Sequence, residues 1–499
     1  MKILLILSIL VTLGSAEQTY NILGIFPHNL VSHQMMFDPI MKKLANKGHT
    51  VTVISYFPQE KPMKNYRDIT LEDSSVELLN SIPLPSSNES SFNLYYEFYY
   101  MLELGQHFCE VGVKSATIRE LLNSDERFDL VVTELFTNNC LFAFAHKFNA
   151  PVVGITSTFL HWDYNKIGNP SNPAYISDNL LTMGEHKTFM ERLETTLLNL
   201  LHQTFYDYYI NFKNQKVSAE VFGRDLPLLS DISQNISLIL TNSHLSITPS
   251  ISLVPGLIEI GGIHVGDVKK LPEDIEKWIN QSDHGVIYFS MGSLIRVDTF
   301  PEEKREMFTN AFRRLPQRVL WKWENDTMPE KPENVMIQKW MPQLDVLCHP
   351  NVKVFITHGG MFGVTEAVYC GVPMVIIPLF SDQTTNALTV ENNGGGVHLP
   401  YENLSEESIY DALISVLDPK FNKKAKALSD RFKDRPMPLL ETAIYWIEYV
   451  ARQGGAPHLK TAAIGMPFYK YLLLDVIAFL LLIVLSIIFV VYYLANPKL

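Results

Sequence analysis

The stretch that decides the fold is WMPQLDVLCHPNVKVFITHGGMFGVTEAVYCGVPMVIIPLFSDQ, residues 340–383. At its centre the apolar, β-branched run Val352–Thr357 is typical of a buried parallel strand. Two glycines then permit a turn, and helical spacing follows from Met361 to Tyr369. A second buried strand begins at Met374. A glycine turn that feeds a helix N-terminus between parallel strands presents unpaired N–H groups, and this pattern predicts a phosphate site.

The triplet His358-Gly359-Gly360 does not by itself separate a ligand site from a turn of an ordinary α/β fold, because short glycine motifs are weak signals. The residues around the triplet, and their spacing, favour a ligand site. The stretch resembles the signature of the UDP-glycosyltransferases, the UDP-glucuronosyl and UDP-glucosyl transferase family, and it is most like the membrane-anchored insect members. The matching positions are Phe355, Ile356, Thr357, His358, Gly359, Gly360, Gly363, Glu366, Pro373, Pro378, Asp382 and Gln383, with Trp340, Pro342 and Gln343 at the start.

Length and composition set the broad class. A chain of 499 residues suits two domains with appendages. Acidic side chains outnumber basic ones, 53 against 41, and no basic run appears, which argues against a nucleic-acid partner. The cysteines Cys109, Cys140, Cys348 and Cys370 show no metal-type spacing and are too sparse for a disulfide scaffold. The helical, partly apolar settings of Cys348 and Cys370 favour buried free thiols.

The two ends of the chain indicate a membrane protein. Lys2, the apolar run Ile3–Leu13 and the small residues before Glu17 predict a secretory signal peptide over residues 1–16. Near the other end, Val476–Ala495 carries no charge, and as a helix it would span about 30 Å, the thickness of the hydrocarbon core. A buried core helix is the alternative for this segment.

Together these ends predict a single-pass type I protein of the endoplasmic reticulum membrane with a luminal body. Sequons for N-glycosylation agree with a luminal body, at Asn88, Asn235, Asn280, Asn325 and Asn403. The family usually ends in a dilysine retrieval signal, whereas this chain has Lys498 alone. Insertion into the membrane is therefore better supported than retention in the endoplasmic reticulum.

Within the body, apolar strands alternate with helical runs in two successive sets, which predicts two doubly wound sheets. The first set begins with Tyr20–Phe26, places His33 just before the helical run Met36–Asn46, and ends with the strand Ile236–Thr241. The second begins with Val286–Phe289. The resemblance implies the α/β architecture called GT-B, two Rossmann-like domains that face a cleft, here followed by a single C-terminal transmembrane helix.

The predicted segments follow from this architecture. They are a signal peptide at 1–16, an acceptor-binding domain at 17–245, a linker at 246–283, a UDP-sugar-binding domain at 284–435, a return helix and juxtamembrane segment at 436–471, a transmembrane helix at 472–495 and a cytosolic tail at 496–499. In the family the return helix packs back on the first domain. Aromatic side chains in 94–104 suit either the core or an apolar substrate wall.

The resemblance assigns the donor to the second domain. Trp340 would stack on uracil, Gln343 stands at a helix start, and Glu366 would accept hydrogen bonds from the ribose hydroxyls. The remaining donor-site residues would contact the diphosphate or the sugar: Ser290, Ser293, Thr357, His358, Gly360, Gly363, Asp382 and Gln383. Packing is the alternative role for Trp340, and helix capping is the alternative for Asp382 and Gln383.

Transfer requires an acceptor hydroxyl to lose a proton as it attacks the anomeric carbon, and a neutral imidazole suits that task near physiological pH. His33 matches the catalytic histidine of the family, and His28 is the fallback. The family pairs this base with an acid, and its usual Asp maps onto Glu134 at the end of a strand. Related sequences often have a second acid where this chain has Asn139.

The chain contains no Asp-x-Asp pair, so we expect neither a metal nor a cofactor besides the donor. The helix N-terminus and His358 would stabilise the negative charge of the leaving group. The reaction should invert the configuration of the anomeric centre. The expected partners are a UDP-sugar, a small lipophilic acceptor and the lipid bilayer, with a homo-oligomer left open. No arginine is clearly placed for a glucuronate carboxylate, which favours glucose.

Two alternatives stay open at this point. The first is a non-catalytic, membrane-anchored protein that binds a UDP-sugar or a hydrophobic ligand. Glu134, Asn139 and Phe362 favour it, because many members carry Asn at the position of Phe362. The second is an enzyme with a lipid or protein acceptor.

Overall fold

Two parallel sheets form the body of the molecule in this computed structural model, which describes residues 18–71, 79–84, 94–158, 161–177 and 187–496. The predicted signal peptide, Asn88 and Lys498 lie outside the described residues. The strands are β1 Asn21–Phe26, β2 Thr50–Ser55, β3 Tyr66–Thr70, β4 Ile82–Pro83, β5 Leu130–Glu134, β6 Val152–Thr156, β7 Ile236–Thr241, β8 Leu257–Glu259, β9 Val286–Ser290, β10 Ile295–Arg296, β11 Arg318–Lys322, β12 Val335–Gln338, β13 Val352–Thr357, β14 Met374–Ile376 and β15 Gly396–His398.

Helices connect and cover these strands. They are α1 Val31–Asn46, α2 Leu94–Lys114, α3 Ala116–Leu122, α4 Phe142–Phe148, α5 His161–Tyr164, α6 Phe189–Tyr208, α7 Gln215–Phe222, α8 Leu229–Ser233, α9 Glu273–Asn280, α10 Glu302–Arg313, α11 Gln343–Leu347, α12 Met361–Cys370, α13 Gln383–Asn392, α14 Glu406–Leu417, α15 Pro419–Lys433, α16 Leu439–Gln453, α17 Phe468–Tyr471 and α18 Leu474–Ala495. This alternation confirms the predicted α/β class.

The first sheet has the strand order β3-β2-β1-β5-β6-β7-β8, and each pair of neighbours is parallel. Its strands β1, β5, β6 and β7 are apolar and buried along nearly their whole length, as expected where helices cover both faces. The prediction that Ile236–Thr241 is the last strand is wrong, because Leu257–Glu259 extends the sheet from within the predicted linker. Three residues are too few to show a periodicity in the sequence.

The second sheet has the order β12-β11-β9-β13-β14-β15 and is also parallel. The predicted strand Val352–Thr357 is confirmed residue for residue. It pairs with β9 on one side and β14 on the other. In both sheets the strand order reverses at one point, between β1 and β5 and between β9 and β13. Doubly wound sheets bind ligands at such points.

Helix α16 follows the second domain in the chain but packs on the first, as the resemblance implied. Its buried face, which includes Ile444, Ile447 and Val450, joins the apolar cluster under β1 and β2. Ion pairs flank that contact: Lys47 lies 2.6 Å from Glu448, which also accepts a hydrogen bond from His49 Nε2 at 3.0 Å.

A second contact between the domains borders the cleft. Strand β4 of the first domain pairs in parallel with β10 of the second. The amide of Asn80 donates to the carbonyl of Ser293 at 2.8 Å, and its side-chain oxygen accepts from Lys322 Nζ at 3.0 Å. The two domains are thus connected by hydrogen bonds across one wall of the cleft.

The cysteines correct one expectation. Cys109 is bonded to Cys140, and Cys348 is bonded to Cys370, so the predicted free thiols are disulfides. The first bond joins α2 to the segment after β5. The second joins the C-terminal ends of α11 and α12. Sequence spacing missed both because partners 31 and 22 residues apart meet only through the fold.

Among the described residues, α18 (Leu474–Ala495) is the one helix long and apolar enough to cross a membrane. All of its side chains are exposed, which excludes the alternative of a core helix. The chain that leads to it lies on the first domain. Thr461 Oγ1 donates to the carbonyl of Gly168 at 2.8 Å, and Lys460 Nζ donates to the carbonyl of Gln234.

Candidate active site

The carboxyl ends of both sheets face a cleft of about 1190 Å³ between the domains. The structure brings together there nearly all the predicted site residues. Those that line it are His33, Ser290, Ser293, Trp340, Gln343, Thr357, His358, Gly360, Gly363, Glu366, Asp382 and Gln383. Glu134 lies behind His33 and away from the cleft surface.

His33 lies in the first turn of α1, whereas the sequence predicted a position just before the helix. The sequence placed the start of this helix too late because its first turn carries no recognisable start signal. Leu30 at the cap position offers no capping side chain, and Pro39 interrupts the pattern. The side chain of His33 is 11 % exposed and borders the cleft.

Glu134 is fully buried at the end of β5 and contacts two imidazoles. Its Oε1 lies 2.5 Å from Nδ1 of His33, and its Oε2 lies 2.7 Å from Nδ1 of His28. Burial raises the pKa of Glu134, but the charges and hydrogen bonds of His33 and His28 outweigh burial and hold that pKa far below its usual range. A carboxylate only accepts hydrogen bonds, so Nδ1 of His33 carries the hydrogen and Nε2 is left as the basic nitrogen.

Ser157 also belongs to this cluster, although sequence reasoning missed it. Its hydroxyl donates to Glu134 Oε1 at 3.0 Å and lies 3.1 Å from His33 Nδ1. It follows β6 directly, so its place at the carboxyl end of a strand was the available signal. With His28 on the other oxygen, both oxygens of Glu134 are held in place.

On the second domain, the imidazole of His358 lies between two glycines. A Cβ on Gly292 would lie 2.6 Å from the ring, and one on Gly360 would lie 2.5 Å from it, so neither position accepts a side chain without rearrangement. Gly292 also has φ +79°, which favours glycine. Burial, together with the charge of Lys322, lowers the pKa of His358 to about 4. The ring is therefore neutral near pH 7 and acts as a hydrogen-bond donor, not as a cation.

The N-terminus of α12 opens on the same side. Gly360 is its cap residue and provides no side-chain hydrogen bond, and the first turn contains no acidic residue. The amides of the first turn are therefore available to an anion, and the helix dipole adds to their attraction. Gly363 lies in this turn and also borders the cleft.

At the far end of the cleft, Trp340 is 55 % exposed and presents a flat apolar ring. Next to it a chain of hydrogen bonds leads to Glu366. Tyr288 donates to Gln343 Oε1 at 3.3 Å, and Gln343 Nε2 donates to Glu366 Oε2 at 2.6 Å. Burial raises the pKa of Glu366 to about 7, against the lowering effect of the bond from Gln343.

Within the cleft, the hydroxyl groups of two side chains hold the backbone of the glycine turns. The hydroxyl of Ser290 accepts from the amide of Gly292, and that of Thr357 accepts from the amide of Gly359, each at 3.3 Å. Ser293 borders the cleft where β4 meets β10. These contacts fix the two glycine turns on either side of His358.

Asp382 ends the loop that precedes α13, and Gln383 is the first residue of that helix. Gln383 Oε1 accepts from the amides of Leu379 and Phe380, which precede the helix, and Asp382 at the cap position makes no side-chain capping bond to it. Asp382 accepts from Asn386 Nδ2 at 3.0 Å. Burial raises the pKa of Asp382, and the bond from Asn386 and the charge of His33 counter part of the rise. This loop and His33 of the first domain line the same cleft.

Phe362 occupies the position where many members carry Asn, and its ring turns toward the first domain. It stacks on His33 with ring centroids 6.3 Å apart and meets His264 edge-on at 4.9 Å. The ring thus supports the imidazole of His33 from the side of the second domain.

Two further cleft residues escaped sequence reasoning. Lys322 is buried at the end of β11, with Nζ 6.0 Å from the ring centroid of Trp340. Its strand-end position was a usable signal. Glu97 lies on α2, where the crowded aromatic sequence gives no signal of a polar site.

Comparison with known proteins assigns the family. The family model "UDP-glucoronosyl and UDP-glucosyl transferase" matches residues 22–496. The chain belongs to that transferase family. UDP-glycosyltransferase UGT5 of Dactylopius coccus is 44 % identical over 96 % of this chain and 92 % of its own length. UDP-glucuronosyltransferase 1A6 of Homo sapiens is 30 % identical over 92 % of this chain and 88 % of its own length.

Solved structures of other glycosyltransferases share the fold of this chain. Spinosyn forosaminyltransferase SpnP has a TM-score of 0.59 at 17 % identity and covers 87 % of this chain and 100 % of its own. UDP-glucose: anthocyanidin 3-O-glucosyltransferase in complex with UDP has a TM-score of 0.57 at 16 % identity, over 87 % and 99 % of the two chains. The transferase has the GT-B architecture and moves a sugar from a UDP-sugar to an acceptor.

Proposed function

We propose that this transferase moves glucose from UDP-glucose to a hydroxyl of a small lipophilic acceptor, with inversion at the anomeric carbon and His33 as the general base. The observation that carries the proposal is the pair of His33 and the buried carboxylate of Glu134, which borders the cleft opposite the loop of Asp382. An acceptor hydroxyl bound beside His33 would give its proton to Nε2. Glu134 would then stabilise the imidazolium.

The substitution of Glu for the usual Asp fits this role. The longer side chain is held at both oxygens by His33, Ser157 and His28. A base that is oriented by a buried carboxylate needs that carboxylate to stay in one place. These bonds supply the rigidity that a longer side chain would otherwise lose.

The donor would lie along the second domain. Uracil stacks on Trp340, the ribose hydroxyls donate to Glu366, and Gln343 keeps Glu366 oriented. The diphosphate meets the first-turn amides of α12 and the neutral imidazole of His358, with Ser290, Ser293 and Thr357 supporting the turns beside it. Asp382 and Gln383 bind the sugar hydroxyls. The amides and the helix dipole stabilise the leaving diphosphate without a metal.

Glucose is the favoured sugar because of the charges in the cleft. None of the described residues that line it is an arginine, the side chain best suited to a carboxylate. The acidic side chains Asp382 and Glu97 also border the cleft. A uronate carboxyl placed near them would be repelled to the extent that they are ionised, and the lysines of the lining, Lys269 and Lys322, lack the paired donors of an arginine.

The acceptor end is apolar. Its lining on the first domain includes Leu30, Met35, Met101, Leu104 and Phe136. Such a wall binds a small lipophilic alcohol or phenol through burial of apolar surface.

A luminal location in the endoplasmic reticulum membrane completes the proposal. Both disulfides suit an oxidising compartment. The sequon asparagines within the described residues, Asn235, Asn280, Asn325 and Asn403, are exposed. Helix α18 has the length and composition of a membrane span.

The test is transfer from radiolabelled UDP-glucose and UDP-glucuronate to a panel of phenols. His33→Ala is expected to reduce kcat by about 10²–10⁴-fold, the usual contribution of a general base. Binding of UDP should stay nearly intact, because the nucleotide contacts only the second domain.

Two results would contradict the proposal. Unchanged turnover in His33→Ala would exclude His33 as the base. Binding of UDP-glucose without transfer to any phenol would instead support the non-catalytic binder, or, if a lipid or protein were labelled, the enzyme with a larger acceptor.

A further inference from the structure

The loop before α13 displays three successive amides. Those of Leu379 and Phe380 donate to Gln383 Oε1, within the second domain. The third amide, of Ser381, points the other way and donates to Glu97 Oε2 at 3.1 Å. Glu97 lies on α2 and therefore belongs to the first domain.

Ser381 itself has an uncommon backbone conformation. Its φ is +59°, in the left-handed region that residues other than glycine seldom occupy. Such a conformation persists where surrounding contacts enforce it. The next residue is Asp382, so the backbone conformation of Ser381 sets the direction in which the chain enters Asp382, whose carboxylate also accepts from Asn386.

We propose that Glu97 is a positioning residue that completes the sugar-binding loop from the opposite domain, so that this loop is fully formed only when the two domains are together. The inference rests on the proposed function in one respect, the assignment of Asp382 and Gln383 to the sugar. Glu97 holds Ser381, and Ser381 presents Asp382 to the sugar hydroxyls. Closure of the cleft and recognition of the sugar are thereby linked through one hydrogen bond.

The surroundings of Glu97 support this role. The side chain is half-buried and borders the cleft, and burial raises its pKa to about 7 against the bond from Ser381. A carboxyl kept in a partly dry site without a salt bridge is costly for folding alone. On the same face of α2, Tyr100, Met101 and Leu104 also line the cleft. The helix that contacts the acceptor end thus also contacts the sugar loop.

The experiment compares two ligands that differ only by the sugar. Calorimetry on the full chain in detergent would measure Kd for UDP-glucose and for UDP in the wild type and in Glu97→Ala. We expect the variant to bind UDP-glucose about tenfold more weakly, the usual effect of losing a hydrogen bond to a charged group. Kd for UDP should change less than twofold, because UDP does not reach the loop.

Two further variants sharpen the test. Glu97→Gln keeps an oxygen acceptor and should recover most of the affinity for UDP-glucose, which a purely electrostatic role would not allow. Glu110→Ala removes an exposed acid from the same helix away from the cleft and should bind both ligands like the wild type. Because Glu97→Gln is nearly isosteric, it keeps the test decisive even where Glu97→Ala fails to fold.

The outcomes are distinct. Equal weakening of UDP and UDP-glucose, or no weakening of either, would overturn the role of Glu97. Neither result depends on turnover, so it is independent of whether the wild type transfers glucose to a phenol. A wild type that binds UDP-glucose but transfers nothing would end the proposed function and leave the role of Glu97 supported by binding alone.

Discussion

At the scale of single residues, two buried carboxyl groups, Glu134 behind the cleft surface and Glu366 on it, have pKa values that are shifted in opposite directions. Glu134 contacts two imidazoles, which keep it ionised although it is buried. Glu366 is as deeply buried but has only the neutral amide of Gln343 as its partner, and its pKa rises to about 7. Glu134 is thus ionised and able to orient a base, whereas Glu366 loses its proton when a bound ligand stabilises the carboxylate.

This difference predicts how donor binding depends on pH. In the proposed donor position the ribose hydroxyls would donate to ionised Glu366, so binding of UDP-glucose should release a proton below pH 7. Its affinity should therefore rise with pH, by up to about tenfold per pH unit at the acid end, and level off above pH 7. Kd measured from pH 5.5 to 8 checks this, since the diphosphate diester of UDP-glucose does not titrate there.

Glu366→Gln is the matched variant for that measurement. It should flatten most of the rise, and the part that remains belongs to Glu97, whose pKa is also about 7. An unchanged pH dependence in Glu366→Gln would show that another group releases the proton.

At the scale of elements, the disulfide between Cys348 and Cys370 connects the two helices that carry proposed nucleoside-binding residues. Helix α11 begins with Gln343, and α12 contains Glu366. The disulfide joins their far ends, so it limits how the two helices can move relative to each other. The hydrogen bond between Gln343 and Glu366 therefore forms between partners that are already aligned.

Replacing both Cys348 and Cys370 by Ser should lower the free energy of unfolding of the second domain by about 3 kcal/mol, the usual value for a loop of this length. Affinity for UDP should fall as well. The matched control replaces Cys109 and Cys140 by Ser, which should destabilise the first domain and leave UDP affinity unchanged. Denaturant titration and calorimetry check both, and equal UDP affinity in the two double variants would contradict the assigned role.

The same elements show what sequence could and could not predict. Val352–Thr357 was predicted to the residue because a buried parallel strand is a continuous apolar run. Strand β8 was missed because it is three residues long. The residues of the donor signature are close in sequence, so one motif found nearly all of them. Glu97, Ser157 and the disulfide pairs depend on distant segments meeting, and no local pattern records such contacts.

At the scale of the whole molecule, the return helix α16 holds the two domains in register. It leaves the second domain and buries Ala443, Ile444, Ile447 and Val450 against the first. Together with the pairing of β4 and β10 it connects the two domains at two separate places. The distance between His33 on one domain and the proposed donor site on the other thus depends on contacts outside the site as well as within it.

Ile447→Ala tests that packing. The side chain is fully buried, so its truncation should lower the free energy of unfolding by about 2–5 kcal/mol. Tyr445→Ala, on the exposed side of the same helix, should change it by only about 0.5 kcal/mol. Denaturant unfolding of both variants provides the comparison, and similar losses would mean that α16 does not carry the contact.

The attachment of Lys460 and Thr461 to the first domain has a consequence for how an acceptor would reach the cleft. If α18 spans a bilayer as proposed, the domain proposed to bind the acceptor would be the one held near the lipid surface. Compounds dissolved in the leaflet would then reach the cleft by lateral diffusion in two dimensions. Their turnover should follow the amount per lipid molecule, and diluting a vesicle suspension with buffer should leave it unchanged.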